Sequence, residues 1–303
     1  MTLRKIIVAL VLLMSALGVA YAAGDLATKF SNRGSIGNTR HNLTQRQASG
    51  GGPSGSIMDN YRNDYGEICV YCHTPHGANT TTNLPLWNRT MKVTNYTTYN
   101  QLGTQTLQGE VSQPGNNSLA CLSCHDGQTA IDSIINMPGS GGYMQSQETT
   151  QNDSFLNTWT NPRGQNASVH MRLTQGECLA CHSPGAGVLG AGAPDFTVAA
   201  IGTDLRNDHP VGVTFPTKNG PGTDFNTPSG TQGVARFFDT NNSGRMDSGD
   251  IRLYVTNGKA QVECASCHDP HGVPSAGRDS DFFPTFLRVS NTGSSLCMTC
   301  HAK

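Results

Sequence analysis

The sequence Cys69-Val-Tyr-Cys72-His73 is a C-x-x-C-H motif, and this motif occurs five times in the chain of 303 residues. All 10 cysteines fall into this pattern and none is left over. The spacing is the attachment signature of c-type haem. Each thiol can add to one vinyl group of the porphyrin, and the histidine that follows is placed to bind the iron. The predicted attachment residues and proximal ligands are Cys69, Cys72, His73, Cys121, Cys124, His125, Cys178, Cys181, His182, Cys264, Cys267, His268, Cys297, Cys300 and His301.

Two other uses of paired cysteines explain the pattern less well. A disulfide framework would account for an even number of cysteines in an exported protein. It would not account for a histidine after every second cysteine. Structural zinc needs four ligands, commonly from two paired C-x-x-C motifs, and five motifs would leave one unpaired. We therefore expect five covalently bound haems.

The other five of the 10 histidines lie outside the motifs, and we expect them to be the distal ligands of the five irons. They are His41, His76, His170, His209 and His271. Their number favours bis-histidine ligation throughout, although Met58, Met91 or Met171 could replace one of them. The sequence leaves the pairing of histidines with haems open.

Two of these histidines follow a motif histidine by three residues, His76 after His73 and His271 after His268. On a helical turn, residues three apart share one face. They cannot bind one iron from opposite sides of a flat ring. His76 and His271 are therefore predicted to serve neighbouring haems and to draw pairs of haems together.

The composition predicts an unusual fold. Hydrophobic residues are 36% of the chain, charged residues are only 14%, and there are 35 glycines. Stretches such as 101–117 and 138–154 are rich in Gly, Gln, Ser, Thr and Asn, which are loop residues. We predict a mostly irregular chain with short α-helices and little β structure, organised around five haems that replace an aliphatic core. This chain would form one domain over residues 23–303.

The beginning of the chain predicts export. Arg4 and Lys5 precede an apolar run from Ile6 to Val19, and Ala20-Tyr21-Ala22 resembles a cleavage site. Residues 1–22 are therefore predicted to be a signal peptide, with no membrane span after its removal. The protein would be periplasmic, extracellular or at the cell surface. A net charge of −1 argues against nucleic acid as a partner.

A faint two-motif repeat relates residues 60–130 to residues 255–303. Each half contains a C-H-x-P-H-G sequence, at 72–77 and 267–272, and each then reaches a second motif, at Cys121 or Cys297. A stretch that contains leucine or phenylalanine and ends in arginine lies between them, at 85–89 and 284–288.

A separate pattern, at 239–250, fits an EF-hand-type calcium loop. Asp239, Asn241 and Ser243 would occupy its first ligand positions, and Gly244 its sharp turn. The alternative is a turn rich in Asn and Asp that binds no ion. The complete set of possible calcium ligands is Asp239, Asn241, Ser243, Arg245 through its carbonyl, Asp247 and Asp250.

The chain resembles the multihaem c-type cytochromes of metal-respiring bacteria. The resemblance is carried by the sequences at 69–77, 85–89, 118–127, 208–213 and 264–272. It implies electron transfer in the periplasm or at the cell surface during anaerobic respiration, with redox proteins or extracellular electron acceptors as partners. Some of these cytochromes polymerise into extracellular filaments, in which one protomer supplies a distal histidine to the next.

Three functions are compatible with this sequence. An electron carrier needs irons whose two axial positions are filled, and a conductive filament needs the same protein as a repeating unit. A reductase instead needs one open iron position for its substrate. Because there are enough histidines to fill every position, we expect an electron carrier and not an enzyme.

Overall fold

The computed structural model describes residues 35–44, 60–92, 95–107, 109–138, 152–160, 166–186, 195–273 and 286–303. The predicted signal peptide and Met58 lie outside these ranges. All 10 histidines and all 10 cysteines lie within them. In the described ranges, no helix is long and apolar enough to cross a membrane.

The helices are short, and four of the five α-helices within the described residues carry a C-x-x-C pair. They are α1 (Asn116–His125), α2 (Asp153–Leu156), α3 (Cys178–Cys181), α4 (Cys264–Cys267) and α5 (Ser295–Cys300). The first motif begins in a 3₁₀ turn, Cys69–Tyr71. Further 3₁₀ turns are Ile36–Asn38, Tyr99–Leu102, Pro184–Ala186, Thr197–Ala199 and Thr292–Ser294.

A five-stranded antiparallel sheet lies between the third and fourth motifs. Its strands are β1 (Val213–Thr214), β2 (Gly230–Gln232), β3 (Ala235–Phe238), β4 (Ile251–Thr256) and β5 (Lys259–Val262), in the order β1-β5-β4-β3-β2. The prediction of a mostly irregular chain with little β structure is therefore wrong. Its error lies in 213–262, where tight turns connect strands of two to six residues.

Two of these turns explain why the strands form a sheet. Asn257-Gly258 joins β4 to β5, and both residues have positive φ, 51° and 77°. That is the backbone of a two-residue hairpin turn, for which Asn-Gly is the preferred sequence. Gly233, with φ of 60°, lies in the turn between β2 and β3.

The sheet carries one hydrophobic core, and the last two motifs pack against it. Phe215, Phe238, Ile251, Leu253 and Ala260 are buried together. The partly buried side chains on this core include Cys267 and Cys300. The sheet is therefore the support on which α4 and α5 lie.

A second core holds the first motif in place. It contains the buried residues Tyr65, Tyr71, Ala130, Ile134, Met137, Phe155, Leu156 and Trp159. Cys72 packs against it. At its edge the guanidinium of Arg89, which is fully buried, donates to the backbone carbonyls of Ser123, Ala130, Ile131 and Ser133. This side chain fixes the loop that follows the second motif.

The first and fourth motifs are followed by the same backbone arrangement. His73 forms a β-bridge with Trp87, and His268 forms one with Leu287. The preceding residues, Leu86 and Phe286, both have positive φ, 50° and 57°. The two segments of the faint repeat thus have the same local geometry. When the segments are aligned by their β-bridges, the proline and arginine of one are offset by one residue from those of the other.

Candidate haem sites

Every C-x-x-C-H motif lies on one helical turn, which brings its cysteines and its histidine together. In four motifs the histidine N–H donates to the carbonyl of the first cysteine, at 2.7–3.1 Å. In the second motif the same five residues end α1. The structure thus gives each cysteine pair and its histidine the local geometry that attachment to one macrocycle requires.

Five histidine rings are held by Nδ1, which leaves Nε2 available. The Nδ1 atom of each contacts a protein oxygen: His73 with Pro85 O at 2.7 Å, His125 with Ala199 O at 2.7 Å, His41 with Pro270 O at 3.2 Å, His209 with Pro210 O at 3.1 Å, and His271 with Asp269 Oδ1 at 2.9 Å. Metal-bound histidines have this arrangement, because a partner on one nitrogen sets the tautomer and aims the other at the metal.

One of the predicted distal histidines lies close to the first motif. The rings of His73 and His271 have centres 6.2 Å apart and planes only 16° from parallel. Metal–imidazole bonds are about 2.0 Å long, so two imidazoles on opposite sides of one iron have ring centres about 6 Å apart. The two rings are therefore spaced to bind one iron between them.

The second motif has a similar partner. The ring centres of His41 and His125 lie 6.0 Å apart, with planes at 75°. Burial, and then the nearby His125, lower the pKa of His41 to about 4. A histidine must be neutral to bind iron through a nitrogen lone pair, and His41 is neutral over the physiological range.

His209 interacts electrostatically with His301 of the fifth motif. Burial lowers the pKa of His209, and the charge of the neighbouring His301 lowers it further. The ring of His301 also contacts Phe225, at 4.9 Å between ring centres. Ring contacts thus pair two of the predicted distal histidines, His271 and His41, with a motif histidine.

The remaining two predicted distal histidines are placed differently. His76 is exposed, on the loop after the first motif. His170 is buried, with Nδ1 2.7 Å from Asp132 Oδ2 and Nε2 2.8 Å from Asn157 Oδ1. Of the other two motif histidines, His182 stacks on Phe196, at 4.1 Å between ring centres.

Cysteines of the first, second, fourth and fifth motifs affect one another's pKa values, which indicates that these motifs are neighbours. The thiols of Cys121 and Cys264 interact, which raises the pKa of Cys121 and lowers that of Cys264. Burial, and then Cys124, raise the pKa of Cys72 to about 12. Burial, and then Cys267, raise the pKa of Cys300 to about 12. The first motif thus lies by the second, the second by the fourth, and the fourth by the fifth.

The contact between the second and fourth motifs contains a buried carboxyl that the sequence did not single out. Glu263, 1% exposed, accepts hydrogen bonds from the Gly115 N–H, at 3.1 Å, and from the Ser118 hydroxyl. Burial raises the pKa of Glu263 to about 7. Ser118 also accepts from the Cys264 N–H at 2.8 Å, so this cluster ties the start of α1 to the start of α4.

The predicted calcium loop connects β3 to β4 as a hairpin. The carboxylate of Asp239 accepts from the N–H groups of Ser243, at 3.0 Å, and Gly244, at 2.7 Å. That of Asp250 accepts from Thr240 and Asp247, both at 2.9 Å. Nowhere in the described ranges do three or more His, Cys, Asp or Glu residues form a group that could hold a metal ion. Calcium would therefore also need amide, hydroxyl and carbonyl oxygens here.

These observations define a class of protein. Paired cysteines and a histidine on one helical turn, with His73 and His125 held through Nδ1, fit covalently bound haem c, and the C-x-x-C-H motifs indicate this cofactor. Residues 255–303, which contain the fourth and fifth motifs, match the family model described as the doubled CXXCH motif. This match supports a cytochrome c-type, haem-binding segment. The comparison with curated proteins gave no match.

Proposed function

We propose that this protein is an electron-transfer cytochrome that binds five haems c and passes electrons along them. The observation that carries the proposal is the pairing of His73 with His271, whose ring centres lie 6.2 Å apart. A bound haem supplies an iron that alternates between two oxidation states. When both axial positions of an iron are filled by histidine, that iron exchanges electrons and has no room for a substrate.

The contacts between motifs support a continuous route. Because the cysteines bind the edge of the macrocycle, neighbouring cysteines imply neighbouring haem edges. The interaction of Cys121 with Cys264 would place the haems of the second and fourth motifs edge to edge. The electrostatic effects of Cys124 on Cys72 and of Cys267 on Cys300 would extend the route to the first and fifth.

The cellular compartment, the respiratory role and the partners of this protein are inferred from the sequence. The predicted signal peptide and the resemblance to the cytochromes of metal-respiring bacteria support export and anaerobic respiration. The partners would be redox proteins or extracellular electron acceptors. The resemblance also supports assembly of this chain into a filament. Electron microscopy of the secreted fraction would distinguish a fibre from a free carrier.

Three measurements on the natively matured protein test the proposal: its haem count, its reduction by a chemical reductant and its activity towards oxyanions. Mass spectrometry of the denatured chain should show five covalent haems, and fewer would contradict the count. Rapid mixing with a reductant should reduce all of them without a substrate. Catalytic consumption of nitrite, sulfite or another oxyanion would instead indicate the reductase alternative.

We also propose that the β3–β4 loop binds calcium in a structural role. The support is that its carboxylates and its glycine turn, with φ of 76° at Gly244, occupy the positions of an EF-hand-type loop. Isothermal titration of ion-stripped holoprotein should show uptake of one calcium ion. The variant Asp239→Asn should lose it, whereas Asp204→Asn, at an exposed ion pair with Arg206, should retain it. Absence of uptake by the natural protein would exclude this site.

A further inference from the structure

The two pairs of imidazole rings that are spaced to bind one iron differ in the direction of their planes. The planes of His73 and His271 lie 16° apart, and so are nearly parallel. Those of His41 and His125 lie 75° apart, and so are nearly perpendicular. The ring centres of the two pairs are separated by almost the same distance, 6.2 Å and 6.0 Å. The angle between the rings therefore distinguishes the second pair from the first.

This angle is set by contacts of the protein. An imidazole bound through Nε2 can rotate about its bond to the metal, because the rotation leaves Nε2 in place and turns only the ring plane. Nδ1 lies off the axis of this rotation, so a partner on Nδ1 fixes the plane. All four rings contact an oxygen through Nδ1, and these oxygens are Pro85 O, Ala199 O, Pro270 O and Asp269 Oδ1.

The ring of His41 has a second constraint. It stacks on the ring of Phe286, with ring centres 4.7 Å apart and planes only 7° from parallel. Stacked aromatic rings attract one another beyond the effect of their burial. Turning His41 until its plane is parallel to that of His125 would break this stack and the 3.2 Å contact with Pro270 O. Phe286 and Pro270 together therefore keep the two planes nearly perpendicular.

The backbone of Phe286 is itself fixed in place. Its φ is 57°, and its carbonyl accepts from the Asp269 N–H at 2.9 Å. Leu86 has the equivalent position after the first motif, with φ of 50° and a carbonyl that accepts from the Thr74 N–H, also at 2.9 Å. The two loops thus have the same backbone and differ in the side chain at this position. A leucine is compatible with this backbone, and a phenylalanine adds a flat ring.

The loop after the fourth motif acts on two other sites. Pro270 and His271 are consecutive residues. The carbonyl of Pro270 contacts His41, whose ring lies near His125 of the second motif, whereas the ring of His271 lies near His73 of the first. This one loop therefore orients a predicted distal histidine at each of the first two motifs.

The angle between two axial imidazoles changes the energies of the iron d orbitals. Parallel rings both donate π electrons to the same d orbital, which stabilises an oxidised iron that lacks one electron there. Perpendicular rings divide this donation between two orbitals, so the oxidised iron is stabilised less. Building on the bis-histidine haems proposed above, we propose that Phe286 is a positioning residue: it keeps His41 nearly perpendicular to His125 and so gives the second haem a higher reduction potential than the first.

The partners of the Nδ1 atoms act in the same direction. On the motif side the two sites are alike, since His73 and His125 each contact a carbonyl oxygen at 2.7 Å. On the other side His271 contacts the carboxylate of Asp269, whereas His41 contacts the neutral carbonyl of Pro270. A negative partner makes a ligand histidine more basic, which stabilises oxidised iron at the first site only. An electron shared by the two sites should therefore reside at the second, so that the first iron is oxidised as the second is reduced.

Electron paramagnetic resonance of the oxidised, natively matured protein measures the effect of the angle. Nearly parallel imidazoles give a low-spin signal with three resolved features, and nearly perpendicular imidazoles give one dominant feature at larger g. We expect the natural protein to show both signals, and the absence of the large-g signal would overturn the proposal. The haem count and the low-spin absorbance are measured first. Failure of the proposed function would appear there, as missing or high-spin haem.

Variants at Phe286 test the role of its ring. In Phe286→Leu, one haem equivalent should move from the large-g signal to the signal with three features, and one midpoint potential should fall. Phe286→Tyr keeps a flat ring and should retain the natural spectrum. The control Leu86→Ala, at a side chain that is 55% exposed, should leave the large-g signal unchanged. An unchanged spectrum in Phe286→Leu, or an equal loss of the large-g signal in Leu86→Ala, would overturn the role of the ring.

The order of the two potentials has its own test. In a reductive titration of the natural protein, the signal that Phe286→Leu alters should disappear at a higher potential than the signal that His271→Ala alters. The reverse order would overturn the proposed difference between the two haems. If Phe286→Leu does not take up five haems, the large-g signal of the natural protein and its retention in Phe286→Tyr still decide whether the perpendicular pair exists.

Discussion

The imidazole rings of His73 and His271 lie 6.2 Å apart and nearly parallel, although one residue belongs to the first motif and the other follows the fourth. His73 is held by the carbonyl of Pro85 and His271 by the carboxylate of Asp269. Two distant parts of the chain thus meet at a separation that fits the two sides of one iron site. This pair connects the two halves of the faint sequence repeat.

Replacing one member of this pair should change a single haem. Methionine in place of histidine raises the reduction potential of a haem. In His271→Met we therefore expect one midpoint potential to rise while the other four remain as they are. A potentiometric titration followed by absorbance measures this. An unchanged set of potentials would mean that His271 does not bind the iron.

The carboxylate of Asp269 should act on the same haem through His271. It lies 2.9 Å from His271 Nδ1 and 2.9 Å from the guanidinium of Arg288. Burial alone would raise the pKa of Asp269, but the hydrogen bond from His271 and the charge of Arg288 outweigh it and hold the pKa at about 2. A negative partner makes a ligand histidine more basic, which stabilises the oxidised iron.

Asp269→Asn should therefore raise the potential of the haem that His271→Met affects. It should also destabilise the protein by about 3 kcal/mol, because Arg288 would be left buried without its counter-ion. Potentiometry and urea unfolding measure the two effects. The exposed Asp204→Asn serves as control and should change neither. A loss of stability with no change in potential would leave Asp269 with a structural role only.

Glu263 predicts a dependence of stability on pH. Its ordinary pKa of 4.5 is raised to about 7 in the folded protein by burial. The native state therefore holds a proton that the unfolded chain releases, and stability is lost as the pH rises from about 4.5 through 7. Since one pKa unit corresponds to about 1.4 kcal/mol, the whole effect is about 3 kcal/mol.

Glu263→Gln should remove this dependence while keeping an oxygen for Gly115. The variant should be as stable as the natural protein near pH 5 and more stable at pH 8. Urea unfolding of the holoprotein at both values compares the two chains. Parallel changes of stability with pH in both would contradict the assignment to Glu263.

The haem attachment residues could be read from the sequence because a covalent bond requires a fixed local spacing. The pairing of histidines could not, since it depends on which distant loops meet: nothing near His73 indicates His271. Glu263 was also missed. It is an ordinary acidic residue beside Cys264 until α1 packs over it and removes it from water.

The sheet was missed although its signals were present. Asn257-Gly258 is flanked by alternating residues, with Ile251 and Leu253 buried and Arg252 and Tyr254 less so. The strands are short, and the surrounding glycine-rich stretches gave the impression of continuous loop. An Asn-Gly pair between two alternating runs is sufficient to predict a hairpin of β4 and β5.

Arg89 lies between the first two motifs in space. Its guanidinium is fully buried and donates to four backbone carbonyls and to the hydroxyl of Ser123. Each buried acceptor that loses its donor costs about 1–3 kcal/mol. Arg89→Met has a similar length but no donor, so we expect it to lose at least about 3 kcal/mol.

The matched control is Arg206→Met, at an exposed ion pair with Asp204, which should unfold as the natural protein does. The loop that Arg89 fixes follows His125, so Arg89→Met should also loosen the second haem site. Urea unfolding and the low-spin absorbance of the holoprotein report the two consequences. Equal stability of the two variants would show that the carbonyls around Arg89 find other donors, and that this side chain does not hold the first two motifs together.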